Sequence, residues 1–221
     1  MSSLAKYIDH TLLKPDATET QIRKLCQEAV EHGFFSVCVN SSFVPLCREL
    51  LQGSGVKVCA VVGFPLGAMS TPAKVCETKW AVDNGADEID MVLHIGALKV
   101  NQPSYVKEDI QKVVEAAQGR TVKVILETAL LSQEEKIRAC ELAQAARAHF
   151  VKTCTGFGGG GATLEDVRLM KAAVGSHLQV KASGGVRDTA TAKAMIEAGA
   201  TRIGTSSGIQ ILQNQAATEA Y

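Results

Sequence analysis

The feature that most constrains the fold is an uninterrupted alternation of strand-like and helix-like segments along the chain of 221 residues. Several of the strand-like runs are almost continuously apolar, which is typical of parallel strands covered on both faces. The runs lie at residues 7–12, 35–39, 57–62, 88–93, 122–127, 150–154, 179–182 and 202–205. Eight such units predict an α/β fold, a single (β/α)8 TIM barrel over residues 1–221. An open doubly wound sheet is the alternative that the same alternation allows.

Local signals between these runs predict helix boundaries. Residues 18–21 and 132–135 have the spacing of a capping box, and residues 163–166 resemble it. Thr71 followed by Pro72 predicts an N-cap and a proline at the first helical position. Helix ends are predicted at Gly33, Gly85, Gly119 and Gly199.

The charge balance and the apolar content of the chain indicate which binding partners and which cellular compartment to expect. The chain has 23 basic and 23 acidic residues, so it has no bulk electrostatic attraction to nucleic acid or to an anionic membrane. Its longest nearly apolar run, residues 58–69, is about half as long as a membrane-spanning helix. The N-terminus lacks the apolar core of a signal peptide, and the seven cysteines have no CxxC spacing. These features predict a cytoplasmic protein with reduced thiols.

Two lysines near the ends of neighbouring predicted strands are the leading candidates for chemistry. Lys152 and Lys181 each precede a glycine-rich loop, and the active sites of barrels lie at the carboxyl ends of the strands. Two ammonium groups in a partly dry pocket disfavour each other's charge, which favours a nucleophilic free amine and a Schiff base. The alternative is that each lysine extends to solvent. The pattern does not choose between the two as nucleophile.

Asp90 is a carboxylate flanked by Ile89 and Met91, so it requires a partner inside the protein. Near the two lysines it would serve as a proton shuttle; a buried ion pair without a catalytic role is the alternative. Asp9 and Glu127 are secondary candidates, for which a structural hydrogen bond is the competing interpretation.

Three loops of small residues, at 155–161, 183–185 and 204–208, follow the last three predicted strands. Backbone N–H groups in such loops converge on anions, which predicts a phosphorylated substrate; tight turns without a ligand are the alternative. The GxGxxG match at 156–161 is rejected as a dinucleotide site because position 181, where an acidic residue is required, is Lys. The five histidines show no metal-binding spacing, so neither a metal nor another cofactor is predicted.

Taken together, the motifs at residues 8–14, 61–67, 88–92, 151–153, 180–185 and 204–208 resemble the deoxyribose-phosphate aldolase family over nearly the whole chain. This resemblance implies a TIM barrel without cofactor that cleaves 2-deoxy-D-ribose 5-phosphate reversibly to acetaldehyde and D-glyceraldehyde 3-phosphate. It implies Lys152 as the Schiff-base lysine, Lys181 as the second lysine that tunes it, and Asp90 as the proton donor and acceptor. The implied phosphate-binding residues are Gly156, Gly184, Gly185, Ser206 and Ser207, and the auxiliary candidates are Asp9, Cys38 and Tyr221.

The resemblance also implies a homodimer. The chain departs from the family pattern at three positions near the expected mouth of the barrel. Many members have Ser at Cys154 and Asn at His94, and some carry a phosphate-assisting lysine at Phe157. Two rival functions stay open: another lysine-dependent phosphosugar lyase or isomerase, and a sugar-phosphate-binding protein without turnover. The combination of Asp90, Lys152 and Lys181 favours an enzyme, because binding alone requires only the glycine loops.

Overall fold

Eight parallel strands close into a barrel in the computed structural model, which describes residues 4–214. Each strand pairs with the next along the chain, and the last pairs with the first. The strands are β1 (Ile8–Leu12), β2 (Ser36–Asn40), β3 (Lys57–Val62), β4 (Glu88–Val92), β5 (Thr121–Ile125), β6 (Phe150–Lys152), β7 (Gln179–Ser183) and β8 (Arg202–Thr205). The predicted TIM barrel is confirmed, and the closure of β8 on β1 excludes the open doubly wound sheet.

Helices connect the strands on the outside of the barrel. They are α1 (Glu19–His32), α2 (Val44–Leu50), α3 (Thr71–Asp83), α4 (Ile95–Lys99), α5 (Pro103–Ala116), α6 (Gln133–Ala145), α7 (Leu164–Val174), α8 (Thr189–Glu197) and α9 (Gly208–Gln213). Short 3-10 helices lie at Leu4–Tyr7, Ser41–Phe43 and Thr128–Leu130. Among the residues described, no helix is both long enough and apolar enough to cross a membrane.

The helix-capping predictions are confirmed at three helices, including α7, where the Thr163 hydroxyl accepts from the backbone N–H of Asp166 at 3.0 Å. They need correction at others. Both capping boxes form, at the starts of α1 and α6, and Gly33 ends α1 in the left-handed conformation. The other three glycines predicted to end helices follow the C-cap residue by one or two positions. The N-cap of α3 is Ser70 rather than Thr71. The Thr71 hydroxyl instead donates a 2.7 Å hydrogen bond to buried Asp109 on α5.

The predicted strands at 122–127 and 150–154 are too long, because the backbone turns at the mouth of the barrel. β5 ends at Ile125, and Glu127 has φ +57°, a left-handed conformation that a strand does not accommodate. β6 ends at Lys152. The residues that follow these two strands therefore belong to the loops around the site.

Side chains of the strands alternate between two environments. On β4, Ile89 and Met91 face outward and join the apolar core between barrel and helices. Glu88 and Asp90 alternate with them in sequence and face inward, as the two-residue period of a strand requires. The interior of this barrel consequently contains charged side chains, which must pair with one another because they are shielded from water.

Candidate active site

The three residues that the sequence singled out lie together inside the barrel. Lys152 and Lys181 are aligned on neighbouring strands β6 and β7, and each Nζ donates a 2.8 Å hydrogen bond to Asp90 Oδ2. All three side chains are at most 2% exposed. The carboxylate of Asp90 therefore holds both ammonium groups at one point of the barrel axis.

A third lysine, which the sequence analysis did not place in the site, completes the surroundings of Asp90. Lys123 on β5 lies beside Asp90 in the sheet, and its Nζ is 2.7 Å from Asp90 Oδ1 and 2.6 Å from Glu88 Oε2. Lys123 is the second residue of the predicted strand at 122–127, whereas the active sites of barrels lie at the carboxyl ends of the strands. The sequence does contain an indication of its place: Lys123 lies between apolar Val122 and Val124, as Asp90 lies between two apolar residues. When the apolar neighbours face outward, the charged side chain between them faces inward.

Asp9 and Arg202 extend these ion pairs below the two catalytic candidates. Asp9 Oδ2 lies 2.5 Å from Lys181 Nζ, and Asp9 Oδ1 lies 2.9 Å from an Nη of Arg202. The same Arg202 nitrogen is 3.0 Å from Glu88 Oε2, and its guanidinium stacks 3.4 Å from the Phe35 ring centre. We call the connected set the buried ion network. Its members are Asp9, Glu88, Asp90, Lys123, Lys152, Lys181 and Arg202, none of which is more than 6% exposed.

The network shifts the proton affinities of its members in directions that keep them charged. Burial alone would raise the pKa of Asp90, but Lys123, Lys152 and Lys181 hold it well below its ordinary value. Burial would likewise lower the pKa of Lys181, but Asp9 and Asp90 raise it well above its ordinary value. Lys181 is thus held as an ammonium group, which is the form that donates a proton.

A cavity of about 440 Å³ opens above the network at the carboxyl ends of the strands. Among residues 4–214, Lys152 is the one member of the buried ion network that lines this cavity. The other lining residues are Thr11, Leu13, Thr155, Gly156, Phe157, Gly159, Gly160, Gly161, Ser183, Gly184, Gly185, Val186, Arg187, Gly204, Thr205 and Ser206. The amine of Lys152 is therefore placed to meet a molecule in the cavity.

Most of the predicted phosphate-binding residues line this cavity. Gly156, Gly184, Gly185 and Ser206 do so, whereas Ser207 does not; its backbone N–H donates to Thr205 Oγ1 at 2.9 Å. The loops approach each other closely, since a Cβ at position 161 would lie 2.9 Å from the carbonyl oxygen of position 184. Arg187 and Thr155, which the sequence analysis did not name for phosphate binding, add a cation and a hydroxyl to the lining.

Glu127, a secondary candidate, serves to position the loop after β6. Its carboxylate accepts hydrogen bonds from the backbone N–H and the hydroxyl of Thr155. The Thr155 hydroxyl in turn accepts from the backbone N–H of Phe157 at 3.0 Å. This chain of contacts supports the competing interpretation, in which Glu127 has a structural hydrogen bond.

The remaining candidates have varied surroundings. Cys38 is fully buried beside Cys59 and lies outside the cavity lining, and its pKa is lowered to about 7 by a hydrogen bond with Cys59 against the effect of burial. His94 has a local role, because its Nδ1 accepts from the backbone N–H of Ala97 at 3.2 Å at the start of α4. Cys154 is buried, 3.4 Å from the Thr128 hydroxyl. Tyr221 lies outside the described residues.

One group of side chains has the composition of a metal site. Cys38, Cys59 and Asp90 place their ligand atoms within 4.8 Å of one another, the single such group found within residues 4–214. Asp90, however, is already bound by three ammonium groups. Because these groups repel a further cation, the surroundings favour ion pairing of Asp90 over metal binding.

Comparisons with known proteins are consistent with this geometry. A family model described as DeoC/LacD family aldolase matches residues 3–214. A curated deoxyribose-phosphate aldolase from Bdellovibrio bacteriovorus is 64% identical over 218 residues, covering 99% of each chain. One from Carboxydothermus hydrogenoformans is 59% identical, covering 100% of this chain and 98% of the relative. The structure of the deoxyribose phosphate aldolase from Aeropyrum pernix superposes with a TM-score of 0.89 at 35% identity, covering 95% of this chain and 89% of that one.

An oligomeric state is given for one of these relatives. The Aeropyrum pernix enzyme is described as a tetramer. A homodimer therefore stays a prediction for this chain.

Proposed function

This chain belongs to the DeoC/LacD family of aldolases, and from this premise we propose that it cleaves 2-deoxy-D-ribose 5-phosphate reversibly to acetaldehyde and D-glyceraldehyde 3-phosphate. The proposed intermediate is a Schiff base on Lys152, and the proposed role is the catabolism of deoxyribose phosphates. One observation carries the mechanism: Lys152 lines the cavity and has a single carboxylate partner, whereas Lys181 has two and Lys123 has three, the third at 4.0 Å.

In the cleavage direction, the free amine of Lys152 adds to the C1 aldehyde of the open-chain sugar. Loss of water from the carbinolamine gives an iminium ion. The Lys181 ammonium and the Asp90 carboxylate, 2.8 Å from each other and both adjacent to Lys152, supply and accept the protons for this conversion. The pKa directions keep Asp90 as a carboxylate and Lys181 as an ammonium group, which are the forms that accept and donate a proton.

The iminium ion then acts as the electron sink for carbon–carbon cleavage. The C3 hydroxyl loses its proton, the C2–C3 bond breaks, and its electron pair moves toward the iminium nitrogen to form an enamine. D-glyceraldehyde 3-phosphate leaves. Protonation of the enamine carbon and hydrolysis of the resulting iminium ion release acetaldehyde and regenerate Lys152.

The glycine-lined side of the cavity holds the phosphate in this proposal. Its loops bring backbone groups, the Ser206 and Thr205 side chains and Arg187 to the cavity. Binding energy from the phosphate, remote from the reacting carbons, holds C1 within reach of Lys152. Phe157 lines the same cavity and packs edge-on against Phe64, with ring centres 5.4 Å apart.

The test is to incubate the wild-type protein with deoxyribose 5-phosphate, with and without EDTA, and to follow D-glyceraldehyde 3-phosphate with a coupled enzyme. We expect release that EDTA leaves unchanged, because no step requires a metal. Borohydride added during turnover should produce an adduct on the peptide that contains Lys152. A folded protein that releases no product would reject this substrate and favour the other phosphosugar lyases, the isomerases or a binding protein.

The phosphate assignment predicts a selective effect of Arg187→Gln. The variant should raise KM for deoxyribose 5-phosphate roughly 10- to 100-fold, because a charge-assisted contact is lost. Its activity on unphosphorylated 2-deoxyribose should hardly change. Arg168→Gln, at an exposed arginine of α7 outside the cavity lining, is the matched control. Equal losses on both substrates would show that Arg187 does not contact the phosphate.

A further inference from the structure

The buried ion network contains a closed ring in which positive and negative groups alternate. Following the contacts from Asp90, the ring passes through Lys181, Asp9, Arg202, Glu88 and Lys123 and returns to Asp90. Each carboxylate in the ring lies within 3.0 Å of two ring cations, and each cation lies within 3.0 Å of two ring carboxylates. Lys123 Nζ is also 4.0 Å from Asp9 Oδ2, across the ring. The three positive and three negative charges balance.

Lys152 stands outside this ring. Its Nζ contacts Asp90 Oδ2 alone among the network carboxylates within 4.0 Å, in the part of the chain that the structure describes. When Lys152 is protonated, the network carries four cations and three carboxylates. When Lys152 is the free amine, the network is neutral. In a buried environment a surplus charge is costly, so the ring favours the free amine.

We propose that Arg202 and Glu88, which lie outside the cavity lining, are positioning residues that set the protonation state of Lys152 through the charge balance of this ring. Arg202 supplies the third ring cation, and the stacked Phe35 ring and Asp9 hold it in place. Without Arg202 the remaining network would have three cations and three carboxylates when Lys152 is protonated. Lys152 would then keep its proton to a higher pH.

The other titratable groups near Lys152 lie on β2, on β3 and in the loops after β5 and β7. Cys38 on β2 and Cys59 on β3 lie beside Asp90. Burial first, and the hydrogen bond with Cys38 next, raise the pKa of Cys59, so Cys59 stays a thiol. Glu127, after β5, is bound by Thr155 and has no ion pair within 4.0 Å to any network cation among the described residues. Arg187, after β7, lines the cavity. Cys38, whose pKa is about 7, is the group that could also absorb the surplus charge.

The inference rests on the proposed Schiff-base chemistry, and its test measures that step directly. Acetaldehyde and cyanoborohydride would be added to the protein at a series of pH values, and the rate of adduct formation on Lys152 followed by peptide mass spectrometry. The rate rises with pH as Lys152 loses its proton, which defines a midpoint. Because the reductant's own pH dependence is common to all variants, differences between midpoints report on the protein.

Two single variants should shift this midpoint in opposite directions. Arg202→Met removes a positive charge and should raise the midpoint by roughly one pH unit, while Glu88→Gln removes a negative charge and should lower it by a similar amount. The double variant restores one surplus cation and should return the midpoint to within roughly 0.3 of the wild type on the same electrostatic basis. Arg202→Lys keeps the charge and should also leave the midpoint near that of the wild type.

These variants separate the proposal from a merely structural role. Loss of packing would slow trapping in both single variants without opposite shifts, and that result would overturn the proposal. If Arg202→Met does not fold by circular dichroism, Glu88→Gln must still lower the midpoint. A midpoint that disappears in a Cys38→Ser background would assign the titration to the thiol and overturn the proposal as well. Absence of any Lys152 adduct in the wild type would instead reject the proposed function.

Discussion

Replacing Lys152 with Met is expected to lower kcat/KM for deoxyribose 5-phosphate roughly 10⁴-fold or more, because the nucleophile of the covalent pathway is removed. The structure predicts that this variant folds. Lys152 lies outside the ring of paired charges and has a single carboxylate partner, Asp90, which keeps Lys123 and Lys181 as partners. An apolar side chain of similar length therefore leaves no carboxylate unpaired. Its free energy of unfolding should be unchanged or slightly higher.

Lys181→Met is the matched control for the assignment of the nucleophile. Lys181 is as buried as Lys152 and shares its hydrogen bond to Asp90 Oδ2, but it does not line the cavity. Both variants should lose turnover, Lys181→Met by roughly 10²- to 10⁴-fold through loss of proton transfer. Only Lys181→Met should still form a borohydride-stable adduct with acetaldehyde, on Lys152. An adduct on Lys181 in the Lys152→Met protein would reverse the two roles.

Asp90→Asn is expected to lower kcat roughly 10³-fold and to destabilise the fold by about 3–5 kcal/mol. Asparagine keeps the shape of aspartate, but it removes the negative charge that three ammonium groups share and turns an N–H₂ group toward some of them. The native pKa of Asp90 lies well below that of a free carboxyl, so its stabilising effect is present at neutral pH and is lost only as the pH falls through the native value. Urea unfolding and the coupled assay measure the two effects.

Asp109→Asn provides the control that separates stability from catalysis. Asp109 is 1% exposed, and it pairs with buried Lys74 at 2.6 Å between α3 and α5. The variant should also destabilise the fold, because it weakens a buried ion pair. The kcat of the folded protein should stay near that of the wild type, since neither Asp109 nor Lys74 belongs to the network or to the cavity lining. If Asp109→Asn lowered kcat as much as Asp90→Asn, the loss in Asp90→Asn would be a general consequence of instability.

The sequence predicted the barrel and three members of the site for identifiable reasons. The alternation of apolar runs and helix signals is visible in the linear sequence, so eight strand–helix units could be counted. Lys152 and Lys181 end consecutive parallel strands, and such strands are neighbours in a barrel, so their proximity followed from topology. Asp90 was recognised because a carboxylate between two core residues needs a buried partner. The glycine loops similarly predicted residues that line the cavity.

The residue pattern left open which of the two lysines is the nucleophile, and the tertiary structure shows that Lys152 lines the cavity and what surrounds it. The ring through Asp9, Glu88, Lys123 and Arg202 joins β1, β4, β5 and β8, and its longest link, between Asp9 and Arg202, spans almost the whole chain. Local pattern carries information about which way a side chain faces, but the depth of each charge along the barrel axis depends on the stagger between strands. Pairing of charges is set by distances of 2.5–3 Å, which only the closed barrel fixes. The sequence therefore determined the elements and their order, while closure of the sheet determined the charge-balanced ring that leaves Lys152 outside it, facing the cavity.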